Sequence, residues 1–168
     1  MPIEIRKETD DDHAAIRVVT ETAFRDMPYS GGDEQDVIDR LRAVGALSLS
    51  LVATLDRDVI GHIAFSPARA ADNSGPWFGL GPVSVLPERQ RRGIGSALIE
   101  SGLAEIEQRG ALGCILMGNP DFYRQFGFEP AAANAPDNEP AEFFMLKLFT
   151  ATGPAGAFRF HEAFYGDG

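Results

Sequence analysis

Apolar and polar residues alternate from Pro2 to Arg6, the period-two pattern of a short strand. The spacing then lengthens. Ala14, Ile16, Val18, Val19 and Phe24 are carried by a helix that Asp10 or Asp11 is placed to cap. Met27 to Asp33 is turn chemistry, and Val37, Ile38 and Leu41 mark a second helix that Gly45 is placed to end. Leu47–Thr54 and Val59–Ser66 read as strands joined by Asp56-Arg57-Asp58 in a hairpin. After a loop from Ala70 to Pro76, Trp77–Leu86 predicts a long central strand. Ile94, Leu98, Ile99, Leu103 and Ile106 then predict a helix that opens at Gly93 and ends near Gly110. Ala111–Met117 reads as a strand, and Asn119-Pro120 as the cap of a short helix stopped by Gly127. A strand begins at Phe128, Ala131–Pro140 is a polar loop, and Glu142–Phe149 is a strong strand. Phe158, Phe160 and Phe164 sit in near alternation in the tail, the pattern of a last strand covering the sheet.

Proline inside the central strand is informative. Pro82 cannot donate to a ladder, so it belongs at an edge or a bulge. The segment that follows carries the chemistry. From Leu80 to Ile99 (LGPVSVLPERQRRGIGSALI) a strand feeds a turn and then a helix N-terminus. Backbone N–H groups left unpaired there, at the positive end of the helix dipole, form a cradle for an anion. Gly93 and Gly95 let that anion approach the backbone, and Arg89, Arg91 and Arg92 add charge. A dinucleotide fingerprint would need glycine where Leu98 stands, and no Gly-Lys-Ser/Thr follows for a nucleotide phosphate loop.

Composition narrows the partners. The 168 residues suit one domain, residues 1–150, with 151–168 as a tail of the same domain. Fifteen basic residues against 25 acidic ones give a formal charge of −10, which disfavours nucleic acid and repels an anionic membrane. No apolar run is long enough to cross a bilayer, and no signal-type core stands at the N-terminus, so the expected address is the cytoplasm. Cys114, the only cysteine, lies in an apolar run as a small hydrophobe. Nothing in the sequence suggests a metal.

Gln90-x-x-Gly93-x-Gly95 after a strand resembles the acetyl-CoA pyrophosphate loop of the GNAT superfamily of N-acetyltransferases. A second segment, Gly118-Asn119-Pro120-Asp121-Phe122-Tyr123-Arg124-Gln125-Phe126-Gly127-Phe128, resembles the tyrosine segment of its YhbS-like branch. The resemblance implies an α/β fold: a mixed, mostly antiparallel twisted sheet with splayed central strands and helices on both faces. It implies acetyl-CoA as co-substrate and a small-molecule or protein amine as acceptor, in a monomer or homodimer.

The roles it implies follow the motifs. Gln90, Arg91, Arg92, Gly93, Ile94, Gly95 and Ser96 would hold the pyrophosphate. The backbone of Val83, Ser84 and Val85 would pair with pantetheine and polarise the thioester carbonyl, and Asn119 is a further candidate for CoA. Tyr123 would protonate the CoA sulfur, while Phe122, Phe126 and Phe128 read as core. Tyr29 and Glu34 in the first helical linker, and His62 on the third strand, are candidates to face the acceptor. Two features depart from the family. The central strand carries no glutamate to act as base, and Leu116 stands where many members have an asparagine. A CoA-binding module without catalysis is the alternative on the same fold.

Overall fold

The computed structural model describes residues 2–27, 30–137, 139–151 and 153–165. Among the described residues there are eight strands: β1 (Glu4–Lys7), β2 (Leu49–Leu55), β3 (Asp58–Ala70), β4 (Trp77–Val85), β5 (Gly113–Met117), β6 (Glu129–Pro130), β7 (Phe144–Leu148) and β8 (Phe158–Arg159). They hydrogen-bond in the order β1-β2-β3-β4-β5-β7-β6, with β8 on β3. The helices are α1 (His13–Phe24), α2 (Glu34–Ala43), α3 (Ile94–Gln108) and the single turn α4 (Pro120–Tyr123). The chain folds as two compact units, Met1–Phe65 with Gly81–Gly102, and Ser66–Leu80 with Leu103–Gly168.

In the first unit, β1 and β2 and then β2 and β3 pair antiparallel. Asp56 and Arg57 turn the hairpin with positive φ of 51° and 73°. The strand pleat separates two faces. On one, Val52 and Ala64 pack against Ile16 of α1 and Ile38 of α2. On the other, a Cβ added to Gly61 would lie 3.2 Å from Leu98 and 3.3 Å from Ile94, so the missing side chain lets α3 close on β3. Helices therefore cover both faces of this part of the sheet.

The start of α1 differs from the expected cap. Asp10 and Asp11 are exposed, and a 3-10 turn over Asp10–Asp12 precedes the helix. Asp12 is the residue turned inward. Its carboxylate accepts the Thr9 N–H at 2.7 Å and two Arg6 bonds at 2.7 and 3.1 Å. The Arg6 guanidinium holds that carboxyl down to about 2. Arg17 ties α1 to α2 through Asp36 at 2.9 Å and Asp39 at 2.7 Å. Val18, by contrast, is 61% exposed, so the helical pattern overstated its role.

In the second unit, β4 runs parallel to β5, and β7 pairs antiparallel with both β5 and β6. The tail supplies β8, which pairs antiparallel with β3 through Arg69–Arg159 and Ala70–Phe158. Trp77, Ile115, Phe144, Phe158 and Phe160 form its core. Trp77 meets Phe158 edge to face at 5.0 Å, and its indole N–H donates to Ser74 Oγ at 2.9 Å. Gly113 makes room for that indole, since a Cβ there would stand 2.7 Å from Trp77 Cζ3. The β4–β5 ladder covers only Trp77–Gly79 against Gly113–Ile115, although β4 continues to Val85. Gly81 has φ of +133°, a conformation closed to other residues, immediately before Pro82.

Packing at Gly102 yields a test. A Cβ there would fall 2.5 Å from Phe65 Cζ, in a fully buried ring. Alanine is favoured over glycine in a helix by about 1 kcal/mol, whereas overpacking costs about 1–3 kcal/mol. Gly102→Ala is expected to lower the urea midpoint, with Ser101→Ala, exposed on the same helix, as the neutral control.

Candidate active site

The turn between β4 and α3 is built from its own sequence. Pro87–Arg89 forms a 3-10 turn, closed by the Arg89 N–H on Leu86 O at 2.8 Å. Gln90 Nε2 donates to Val85 O at 3.0 Å, so this side chain fastens the turn to the strand end. Arg91 and Gly93 then take positive φ, 66° and 81°. The first backbone donor past Gln90 to find an acceptor in the turn is Ala97, on Gly93 O at 3.0 Å. Among the described residues, the six N–H groups from Arg91 to Ser96 have no partner. Arg91, Arg92 and Gly93 are exposed, Gly95 and Ser96 half-buried, and Ile94 packs inward as the helix anchor. A ring of unspent amides at a 15-residue helix's N-terminus, with two arginines beside it, binds phosphate oxygens readily.

The strand leading in is sorted by its pleat. Val83 is half-buried, while the Ser84 hydroxyl lies in the interior, 3.4 Å from Thr20 Oγ1 of α1. Thr20 spends its own proton on Ile16 O at 2.8 Å, so Ser84 is the donor of that pair. Any part Ser84 plays toward a ligand falls to its backbone.

In the second unit, Asn119 caps α4, its Oδ1 accepting the Asp121 N–H at 2.9 Å. That engages the side-chain oxygen of this CoA candidate and leaves its amide NH₂. Gly127, at φ of +93°, stops the segment after a further 3-10 turn over Arg124–Phe126. Tyr123 sits half-buried, with Phe126 and Phe128 at ring separations of 6.3 and 6.0 Å. Burial pushes its phenol up to about 12, with Cys114 adding to the shift. Phe122 is not core: it is 40% exposed and touches the Tyr123 ring edge to face at 4.9 Å. Gly118 has a role that its place in a glycine-containing motif did not reveal. A Cβ there would stand 2.5 and 2.9 Å from Tyr123 Cε2 and Cδ2, so the tyrosine ring occupies the space of the missing side chain.

The linker between α1 and α2 borders a cavity of about 320 Å³, lined by Glu21, Phe24, Arg25, Ser30, Glu34 and Gln35 among others. Glu34 accepts the Ser30 hydroxyl at 2.7 Å. Tyr29 lies outside the described residues. No group of three or more metal-ligating side chains occurs among those residues, and no helix there is long and apolar enough to cross a membrane.

Residues 4–131 match the family profile described as the acetyltransferase (GNAT) domain. The chain belongs to the GNAT acetyltransferase family. It is 33% identical over 143 residues to YhbS of Escherichia coli K12, described as an uncharacterized N-acetyltransferase, covering 81% of this chain and 86% of that one. A GNAT acetyltransferase from Brucella melitensis, solved with acetyl-CoA, is 47% identical with a TM-score of 0.87, over 97% and 98% of the two chains. E. coli YhbS, solved with CoA, superposes with a TM-score of 0.88 at 28% identity, over 99% and 93%.

Within this GNAT scaffold, His62 is fully buried, away from any acceptor arriving from solvent. Its Nε2 lies 2.7 Å from Ser50 Oγ, and Ser50 donates its proton to the Glu8 carboxylate. Glu8 also accepts Arg42 at 2.9 and 3.1 Å and contacts His13 at 3.1 Å. Burial pushes the Glu8 carboxyl up, but the hydrogen bonds from Arg42 and Ser50 outweigh it and leave the group below its ordinary value. With the Ser50 proton committed, His62 must donate through Nε2, and its Nδ1 lone pair has no hydrogen-bond partner among the described residues. No sequence signal marks the chain, because Ser50 and Glu8 lie 12 and 54 residues from the histidine.

Burial lowers His62 to about 4, with Arg42 adding to the effect and Glu8 opposing it. Its unfolded value is about 6.5, so the unfolded chain binds the extra proton between those limits. The resulting stability, about 3 kcal/mol at full extent, is present above pH 6.5 and is lost as pH falls toward 4. Urea midpoints measured from pH 7 to pH 3 should fall across that window. His62→Gln should flatten the upper part of the curve and leave the fall below about pH 4.5, where the unfolded chain takes up carboxyl protons that Glu8 and Asp12, held below their ordinary values, refuse in the fold.

Proposed function

We infer that this protein transfers the acetyl group of acetyl-CoA to a primary amine of a small molecule or a protein. The observation that carries the reading is the unspent set of backbone donors from Arg91 to Ser96. In this reading those amides and the Arg91 and Arg92 side chains grip the CoA diphosphate, while Gln90 shapes the turn rather than touching the anion. The acetyl-CoA and CoA held by the two solved relatives support the same ligand here.

The amine nitrogen attacks the thioester carbonyl carbon, a C–N bond forms, and the C–S bond breaks. The β4 backbone around Val83 and Val85 polarises the carbonyl oxygen. Val85 O already accepts from Gln90, so its N–H and the Val83 groups carry that duty. Tyr123 gives its proton to the departing thiolate, and the proton lost by the nitrogen returns the phenol to its neutral form through water. The raised value near 12 keeps the phenol protonated across the neutral range and favours that return. Positioning supplies the larger share of catalysis, about 7–11 kcal/mol, and a placed acid adds about 10²–10⁴-fold. CoA held by remote contacts is how binding energy serves the reacting centre.

Thiol release from acetyl-CoA across a panel of amines, alongside thermal shift with CoA alone, tests the assignment. Turnover with at least one amine class is expected. A CoA-induced shift without turnover across the whole panel would make this a binding module instead. Tyr123→Phe should lower kcat at least tenfold with little change in CoA affinity. Gly118→Ala, which displaces the ring, should lower kcat in the wild-type background and cost nothing further when added to Tyr123→Phe.

A further inference from the structure

The pairing of β3 with β8 sets Arg69 directly opposite Arg159. Residues opposite each other in an antiparallel pair share a face, and like charges so placed are destabilising. In a chain with 25 acidic residues, neither arginine has a carboxylate within ion-pair distance among the described residues. Their neighbours Ala70 and Phe158 turn into the core, so both guanidinium groups stand on the outer side.

Both line one cavity of about 220 Å³ with His161 and Glu162. Arg159 is held in place, its guanidinium carbon 5.2 Å from the centre of the Tyr165 ring. His161 Nδ1 accepts the Ala163 N–H at 3.0 Å, which puts the proton of the neutral ring on Nε2. The cavity is thus lined by two arginines and a histidine against a single acidic residue, Glu162. Two planar forks with no internal acceptor match the oxygens of one shared anion.

We propose that the β3–β8 cavity binds a small oxyanion, a phosphate or carboxylate group, clamped between Arg69 and Arg159. Glu162 sets its affinity from the rim by repulsion, and the anion removes the like-charge conflict in the ladder. The site is separate from the turn of residues 91–96 and does not depend on the acetyl-transfer reading.

Sodium phosphate and sodium succinate, titrated separately into the full chain at low ionic strength, test the proposal. Calorimetry reads binding, and the Arg69 and Arg159 variants separate this cavity from the 91–96 turn. Millimolar or tighter binding of at least one anion is expected. Preference for phosphate would identify a phosphate ligand, and preference for succinate a carboxylate. Arg69→Ala and Arg159→Ala should each weaken binding at least tenfold, and Glu162→Gln should tighten it about threefold. Removing either arginine should also leave or raise Tm without anion, because it ends the repulsion, and should abolish the rise in Tm that anion gives the wild type. No binding of either anion at 10 mM, or equal affinity in both arginine variants, would overturn the assignment.

Discussion

The structure turns on a shortage of acceptors. Between the last residues of β4 and the first turn of α3, six successive backbone donors go without a partner among the described residues. A helix begins with such orphans by construction, and here the chain enlarges the set. Gln90 is drawn back onto Val85 O, and Arg91 and Gly93 adopt left-handed backbone that directs the turn away from helical closure. Ile94 secures the helix start by burial, so the donors are fixed in space rather than free to find each other. Nothing in the turn itself quiets them. In the proposed reading the CoA diphosphate does, and the two solved relatives that hold acetyl-CoA and CoA support it.

Much of this was legible in the sequence because the signals are local. Apolar periodicity located α1, α2, α3 and most strands, and Gly45, Gly110 and Gly127 end their segments with positive φ. Strand ends were less legible: β3 runs to Ala70, beyond the apolar stretch, because β8 pairs with its distal part. The N-terminal cap was misplaced by one residue. Three aspartates in a row offer equal capping chemistry, yet Asp12, at the N-cap position, spends its carboxylate on Arg6 and the Thr9 N–H and makes no capping bond to α1. Phe122 read as core through its aromatic neighbours, yet a four-residue helix cannot turn every ring inward.

The candidate site divides on the same line. Loop glycines and the tyrosine segment announce themselves by spacing. Pairings between distant positions do not: Thr20 with Ser84 beside the turn, and elsewhere Ser50 with His62 and Arg69 opposite Arg159. His62 shows how residue type misleads. A histidine on an apolar strand suggested contact with an acceptor, whereas its neighbours hold it neutral and dry. Gln90 and Asn119 are comparable, since both spend side-chain atoms organising the backbone beside the positions where a ligand was expected.

The ion pairs that moor α1 and α2 bear on how this protein can diversify. Arg17 grips Asp36 and Asp39, and Arg42 grips Glu8, so both helices are anchored independently of the stretch joining them. Exposed connector residues such as Arg25 and Asp26 can accordingly be exchanged or recharged with those ion pairs intact, whereas Asp33, paired with Arg40 and accepting the Asp36 and Val37 N–H groups, belongs to the mooring. A lineage carrying these moorings is free to vary the charge of that short stretch while both helices stay fixed.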